Sequence, residues 1–249
     1  MYPVLRNGKV RLEADACGIG FLASRKGVAD NAVVREAMEL CRLFDHRGAP
    51  GHGAGVQLDI PWPLLLDRFP DHARLIAQRD LALGVFFLPL DATLRRRCVA
   101  LVEEVAALAG SEVLQWAEVK MDLSALPENS SARRTVPVVR QALFSRPEGM
   151  GEDAWFACRY LLRLAIDDEA SRIAGDDFAV VSLSNRTVIY KGLAALSKID
   201  HLYPDLRDEH FASRFVLFHS RYCTNTTTAW RRAQPFWALA HNGEISTIQ

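Results

Sequence analysis

Three short stretches place chemically capable side chains beside glycines or inside apolar runs: Cys17-Gly18-Ile19-Gly20, His219-Ser220-Arg221-Tyr222-Cys223-Thr224-Asn225 and His241-Asn242-Gly243-Glu244-Ile245. Each has a plain structural reading. A lone cysteine is usually a small core hydrophobe, an arginine after a strand is a surface charge, and Asn-Gly is a hairpin turn. Together the three offer a thiol nucleophile, a guanidinium that can clamp a carboxylate, and an amide next to a glycine N–H that can hold an oxyanion. That is a full set for hydrolysis of an amide bond. Cys17 stands out for a second reason, because it follows a short polar leader, residues 1–16. Ala14-Asp15-Ala16 mimics the small-x-small site of a secretory signal, but residues 1–13 contain no apolar stretch, so neither a signal peptide nor a lipoprotein anchor fits.

The elements that must carry these residues can be read from periodicity. Residues 17–24 (CGIGFLAS) predict a short buried strand, and residues 31–45 a helix with Val34, Ala37, Met38, Cys41 and Phe44 on one stripe. The glycine-dense segment 46–55 (HRGAPGHGAG) is a loop feeding a strand at 56–60, which Pro61 and Pro63 end before a short helix at 64–69. A strand at 81–90 is followed by Asp91 as N-cap of a helix over 92–109. Further expectations are a strand at 115–121 and a helix at 153–166 with a stripe through Ala157, Leu161 and Leu164. A hairpin of 178–183 with 187–190 follows, turning at Ser184-Asn185, and then strands at 215–219 and 237–240. Strands outnumber an α/β alternation, so the fold class is α+β with largely antiparallel pairing.

Composition narrows the function. Lys and Arg total 30 against 30 Asp and Glu, for a formal net charge of zero. Nucleic-acid arms and polybasic membrane patches need an excess of one sign, so neither partner is expected. The basic clusters Arg95-Arg96-Arg97 and Arg231-Arg232 read as solvated faces. No apolar run approaches the ~18 residues of a membrane span. Five cysteines without a CxxC pair suit neither a disulfide scaffold nor a zinc framework, and reduced thiols in a cytoplasm are the simplest reading. No metal site is expected.

Six motifs occur in order: Cys17-Gly18-Ile19-Gly20-Phe21, His46-Arg47-Gly48-Ala49, Gly53-Ala54-Gly55, His219-Ser220-Arg221 with Thr224-Asn225-Thr226, Ala233-Gln234-Pro235, and His241-Asn242-Gly243-Glu244-Ile245. With Ser182-Leu183-Ser184-Asn185-Arg186-Thr187 and Tyr190-Lys191-Gly192, the chain from about Asp15 onward resembles the class II glutamine amidotransferase domain of glutamate synthase large chains. The resemblance implies a four-layer αββα N-terminal-nucleophile hydrolase, truncated at the C-terminus, with residues 1–16 removed on maturation and residues 17–249 forming an incomplete amidotransferase domain. It also implies roles. Cys17 attacks the glutamine amide, Arg221 pairs with the substrate α-carboxylate, Thr224 helps hold the amino-acid end, and Asn242 and Gly243 form the oxyanion hole. The remaining motif residues receive supporting roles. His46 and Arg47 shape the loop beside the nucleophile, His219 and His241 satisfy buried backbone groups, and Cys223 packs. Outside the motifs, Cys41, Cys98 and Cys158 sit on helical apolar stripes, so their spacing assigns them to packing.

The implied activity is hydrolysis of glutamine to glutamate and ammonia, with ammonia passed to a synthase domain or subunit acting on 2-oxoglutarate in nitrogen assimilation. FMN and an iron–sulfur cluster are expected in that synthase portion and no cofactor in this chain. The alternatives are a stand-alone amidotransferase subunit serving another acceptor and a non-catalytic glutamine-binding relic. Two departures from the family pattern are visible. The loop between the His46 and Gly53 motifs is compressed to Pro50-Gly51-His52, with His52 where an acid is expected, and a family site Asp is expected beyond Gln249.

Overall fold

The computed structural model describes residues 3–6, 9–12, 18–44, 53–78, 80–220 and 228–237, with backbone alone for 3–12. Along the described chain the strands are β1 (Pro3–Arg6), β2 (Lys9–Leu12), β3 (Gly18–Ala23), β4 (Ala54–Asp59), β5 (Leu81–Leu88), β6 (Val113–Glu118), β7 (Val138–Ser145), β8 (Ala179–Ser184), β9 (Thr187–Gly192) and β10 (Phe215–Ser220). The helices are α1 (Asn31–Leu43), α2 (Trp62–Arg68), α3 (Ala73–Gln78), α4 (Ala92–Leu108), α5 (Ser131–Arg134), α6 (Glu152–Ala174) and α7 (Ile199–Leu202). Among the described residues two four-stranded antiparallel sheets result, one ordered β3-β10-β4-β9 and the other β6-β7-β5-β8, while β1 and β2 pair with each other. This is the α+β architecture expected from the sequence.

Local chemistry explains the helices. Asp30 caps α1 by accepting the Ala32 N–H at 2.8 Å, and Asp91 caps α4 by accepting that of Leu94 at 2.7 Å. On α1 the buried stripe is Val34, Ala37, Met38 and Cys41, as its spacing predicts. Strand β5 is buried throughout, so it must be covered on both faces. Its Ala82, Phe86 and Leu88 meet Cys98, Val102 and Ala106 of α4 and Trp155, Leu162 and Ile166 of α6. Its Leu81, Leu83, Val85 and Phe87 enter a core shared with β4, β9, β10 and α1. The second sheet therefore lies between α4 and α6 on one face and, on the other, the core it shares with the first sheet and α1.

Four local expectations need correction. Residues 178–190 do not form a hairpin ladder, because β8 pairs with β5 and β9 with β4, placing the two strands in different sheets. Both strands are almost wholly buried, and a corner between facing sheets covers both sides of each, which a two-stranded ribbon cannot do. The Ser184 hydroxyl holds that corner by accepting N–H groups of Arg186 (3.0 Å) and Thr187 (3.2 Å). Strand β3 is not buried on both faces. It lies at a sheet edge, and Ile19 and Phe21 are 60% and 63% exposed. Helix α6 extends to Ala174, and its buried face is Trp155, Arg159, Leu162, Ile166 and Ala170, while Leu161 and Leu164 point outward. Finally, Arg231 and Arg232 are half-buried and ion-paired rather than freely solvated. Arg232 pairs with Asp176 at 2.9 Å, and Arg231 lies 3.6 Å from Asp167 and Asp176. Of the strand expected at 237–240, Trp237 is a bend and the rest lies outside the described residues.

Candidate active site

Strand register brings the described parts of four motifs, at Gly18, Ser220, Ala54 and Gly192, to one end of the first sheet. Gly18 pairs with Ser220, Ser220 with Ala54, and Ala54 with Gly192, so four strands contribute one row of small residues. Adjacent strands lie about 4.8 Å apart, so the whole row spans roughly 15 Å, the scale of an amino-acid ligand and its surroundings. Gly18 adjoins Cys17 in sequence and Ser220 adjoins Arg221. Cys17, Arg221, Thr224, Asn242 and Gly243 themselves lie outside the described residues, as do His46, Arg47, Cys223 and His241.

Three motifs that are far apart in sequence meet beside this row. A Cβ on Gly55 would stand 2.6 Å from the Gln234 carbonyl oxygen, 2.5 Å from the Lys191 Cβ and 2.8 Å from the Tyr190 oxygen. No side chain fits there, and the bare Cα is what lets Gln234 approach. Gly53, at φ +77°, sits against Ala233 in the same way. Gly192 lies under the Trp230 ring, whose Nε1–H donates to the Ala132 carbonyl at 3.2 Å and whose edge meets Phe87 at 5.9 Å. The segment 228–237 is thereby fastened to both sheets, and it includes a cis Gln234–Pro235 peptide.

Lys191 and Trp230 are components that sequence reasoning left without a role. Lys191 is 3% exposed, and its Nζ donates to the Arg231 carbonyl at 2.9 Å and lies 4.8 Å over the Phe236 ring. Its signal was present in the Tyr190-Lys191-Gly192 motif. A lysine in a buried strand is rare enough to mark a specific contact. His219 is buried one residue before the end of β10. The described cysteines are poor nucleophiles. Burial pushes the Cys41 thiol up to about 12, with Asp200 adding to the effect, and burial also raises Cys98 and Cys158.

The far ends of the strands are held by charge. The Asp59 carboxylate accepts from the Arg214 backbone N–H (2.7 Å), Nε (3.0 Å) and Nη2 (2.7 Å), tying β4 to the start of β10. Burial alone would raise this carboxyl. The hydrogen bonds from Arg214, its positive charge and the Ser213 hydroxyl outweigh burial and hold Asp59 below its ordinary 3.8. Between the sheets, Arg68 donates to Gln141 of β7 at 2.5 Å and to both Asp205 oxygens at 2.8 and 2.9 Å, and the Tyr190 hydroxyl of β9 donates to Asp205 at 2.9 Å. Among the described residues no group of three or more His, Cys, Asp or Glu side chains could hold a metal ion, and no helix is long and apolar enough to cross a membrane.

Comparison with known proteins agrees with this geometry. Residues 17–249 match the family model of class-II glutamine amidotransferases. The chain is 36% identical over 250 residues to the glutamate synthase [NADPH] large chain of Azospirillum brasilense, covering 95% of this chain and 16% of that one. It is 35% identical to ferredoxin-dependent glutamate synthase 2 of Synechocystis sp. and 35% identical to glutamate synthase [NADH] of Saccharomyces cerevisiae, spanning 15% and 12% of their lengths. It therefore spans about a sixth or less of these relatives. A family match beginning at Cys17, and a sheet whose Gly18–Ser220–Ala54–Gly192 row joins the family's motifs, lead to one conclusion: the chain belongs to the class-II glutamine amidotransferases.

Proposed function

We propose that this chain hydrolyses glutamine to glutamate and ammonia through a thioester on Cys17. The observation that supports the reading is the register of β3 against β10, which pairs Gly18 with Ser220, the residues that adjoin Cys17 and Arg221 in sequence. Removal of residues 1–16 makes Cys17 the first residue. The chemical need is direct: a thiol of pKa ≈ 8.5 is only a few per cent thiolate near pH 7, and an α-amine of pKa ≈ 7.7–8.0 is the base nearest to it. The same nitrogen in a peptide bond has no basic lone pair, so the precursor is inactive.

In the reaction, the α-amine takes the thiol proton and Sγ attacks the glutamine carboxamide carbon. The developing oxyanion is held by the Asn242 side-chain N–H and the Gly243 backbone N–H, each worth roughly a hundred- to thousand-fold in rate. Arg221 binds the substrate α-carboxylate bidentately, and Thr224 holds the amino-acid end. The α-ammonium returns its proton to the leaving nitrogen, ammonia departs, and water hydrolyses the γ-glutamyl thioester. The ammonia passes to a synthase portion acting on 2-oxoglutarate, where FMN and an iron–sulfur cluster reside, in a cytoplasmic route of nitrogen assimilation. Supporting this division of labour, the relatives are glutamate synthases several times longer than the chain. The test is ammonia release from glutamine by the matured protein and by Cys17→Ala. The variant is expected to lose at least about a thousand-fold, as loss of a covalent nucleophile does. Retained activity in the variant contradicts the reading.

A further inference from the structure

Helix α6 borders a pocket that the proposed glutaminase reaction does not use. Phe156, Tyr160, Leu183 and Trp237 form the apolar walls of this cavity of about 190 Å³ between α6 and the β8–β9 corner, and Arg159, Asn185 and Arg186 supply polar lining. It lies beside Thr187, at the end of β9 opposite Gly192 and the candidate active site. The Trp237 ring packs on Phe156 (6.1 Å) and Tyr160 (5.5 Å).

The polar lining is incomplete. Arg159 is 3% exposed, its guanidinium carbon lies 4.8 Å over the Trp155 ring, and its Nη1 is buried without a hydrogen-bond partner. The carboxylate acting most strongly on it, Glu152, is already engaged. Glu152 accepts from Asn185 Nδ2 at 3.1 Å and Arg186 Nη2 at 3.3 Å and lies 3.6 Å from Arg146. Burial pulls Arg159 down to about 10, and Glu152 offsets this only in part. Asn185 Oδ1 is likewise buried and lacks a donor. A buried guanidinium N–H without an acceptor, on a cation whose nearest carboxylate is shared with Asn185, Arg186 and Arg146, and a buried acceptor without a donor are both costly, and one ligand carrying both groups would satisfy them together.

We propose that this pocket binds a small α-amino or α-hydroxy carboxylate with an aromatic or apolar side chain. The ligand carboxylate pairs with Arg159 and Arg186, its amino or hydroxyl group donates to Asn185 Oδ1, and its apolar part lies against Phe156, Tyr160 and Trp237. The proposal is independent of glutamine hydrolysis, because the pocket contains none of the residues assigned to that reaction. Titration calorimetry with L-phenylalanine should show saturable binding at one site. Binding of phenethylamine, which lacks the carboxylate, and of 3-phenylpropionate, which lacks the donor, should be weaker by about tenfold or more, the scale of a lost charge-assisted or buried hydrogen bond. Arg159→Met should abolish binding while leaving the ligand-free melting temperature unchanged or raised, since it removes a buried charge whose hydrogen bonds are unsatisfied. Phe156→Glu, at an exposed position on the pocket wall, should also abolish it, and this variant decides the matter if Arg159→Met does not fold. No saturable binding up to about 10 mM, a range that includes weak metabolite sites, overturns the proposal. So do equal affinity for phenethylamine, preference for inorganic phosphate, competition by glutamine, or binding retained in Phe156→Glu.

Discussion

At the scale of single residues, the chemistry separates reactive positions from packing ones. Burial makes Cys41, Cys98 and Cys158 reluctant thiolates, and the packing of Cys41 and Cys98 on the buried faces of their helices was legible from spacing. The roles proposed for Cys17, Arg221, Thr224, Asn242 and Gly243 rest on the ordered motifs, because a lone cysteine or an Asn-Gly pair has an equally good structural explanation. Lys191 shows what spacing could not reveal: its partner, the Arg231 carbonyl, is 40 residues away in sequence. Asp59 gives a residue-scale prediction. Its folded pKa is lowered, so its stabilising contribution is complete above the ordinary 3.8 and is lost as pH falls through the lower folded value. Asp59→Asn should therefore lower the melting temperature near neutral pH, and the gap from the parent protein should shrink steadily as thermal melts are repeated below about pH 4. A gap independent of pH would contradict the assigned role of this carboxylate.

At the scale of elements, periodicity worked where one face was apolar and failed where two were. Helix α1 has a single apolar stripe and was placed within two residues, and Asp91 marked the start of α4 correctly. Helix α6 is apolar on opposite sides, with Trp155, Leu162 and Ile166 inward and Phe156, Leu161 and Leu164 outward. The stripe through Ala157, Leu161 and Leu164 was real but faced solvent. Mutation separates the two faces: Trp155→Ala should cost about 3–5 kcal/mol, whereas Leu161→Ala should stay within about 0.5 kcal/mol in urea unfolding. Comparable losses would return the helix to the face read from sequence. The β8–β9 pair failed for a related reason. Two strands joined by two residues suggest a hairpin, yet their near-complete burial demands partners on both sides, which only a corner between stacked sheets supplies.

At the scale of the molecule, the layers hold the proposed reacting end steady. The Arg68–Asp205–Tyr190–Gln141 network bolts β9 to β7 across the inter-sheet core, and Tyr203 donates to the Lys191 carbonyl at 2.7 Å just beside the candidate site. Such a network is costly unless every member is satisfied, and it fixes one register of the two sheets. Burial, with Asp205 nearby, raises both Tyr190 and Tyr203 well above the ordinary 10.0. Each stabilises the fold fully below that value, and the contribution is lost as pH rises beyond it, because only the unfolded chain releases these protons. Spectrophotometric titration should thus show these two of the five tyrosines ionising only together with alkaline unfolding. Reversible ionisation of all five near pH 10 would contradict the packed core.

Peptide mapping after reaction with an electrophilic glutamine analogue decides whether Cys17 is the nucleophile and the first residue of the mature chain, as proposed. A single adduct is expected, on a Cys17 whose α-amine is free, with glutamine protecting against labelling. An adduct on Cys41, Cys98, Cys158 or Cys223, or labelling of Cys17 in a chain that still carries residues 1–16 and hydrolyses glutamine, would contradict it.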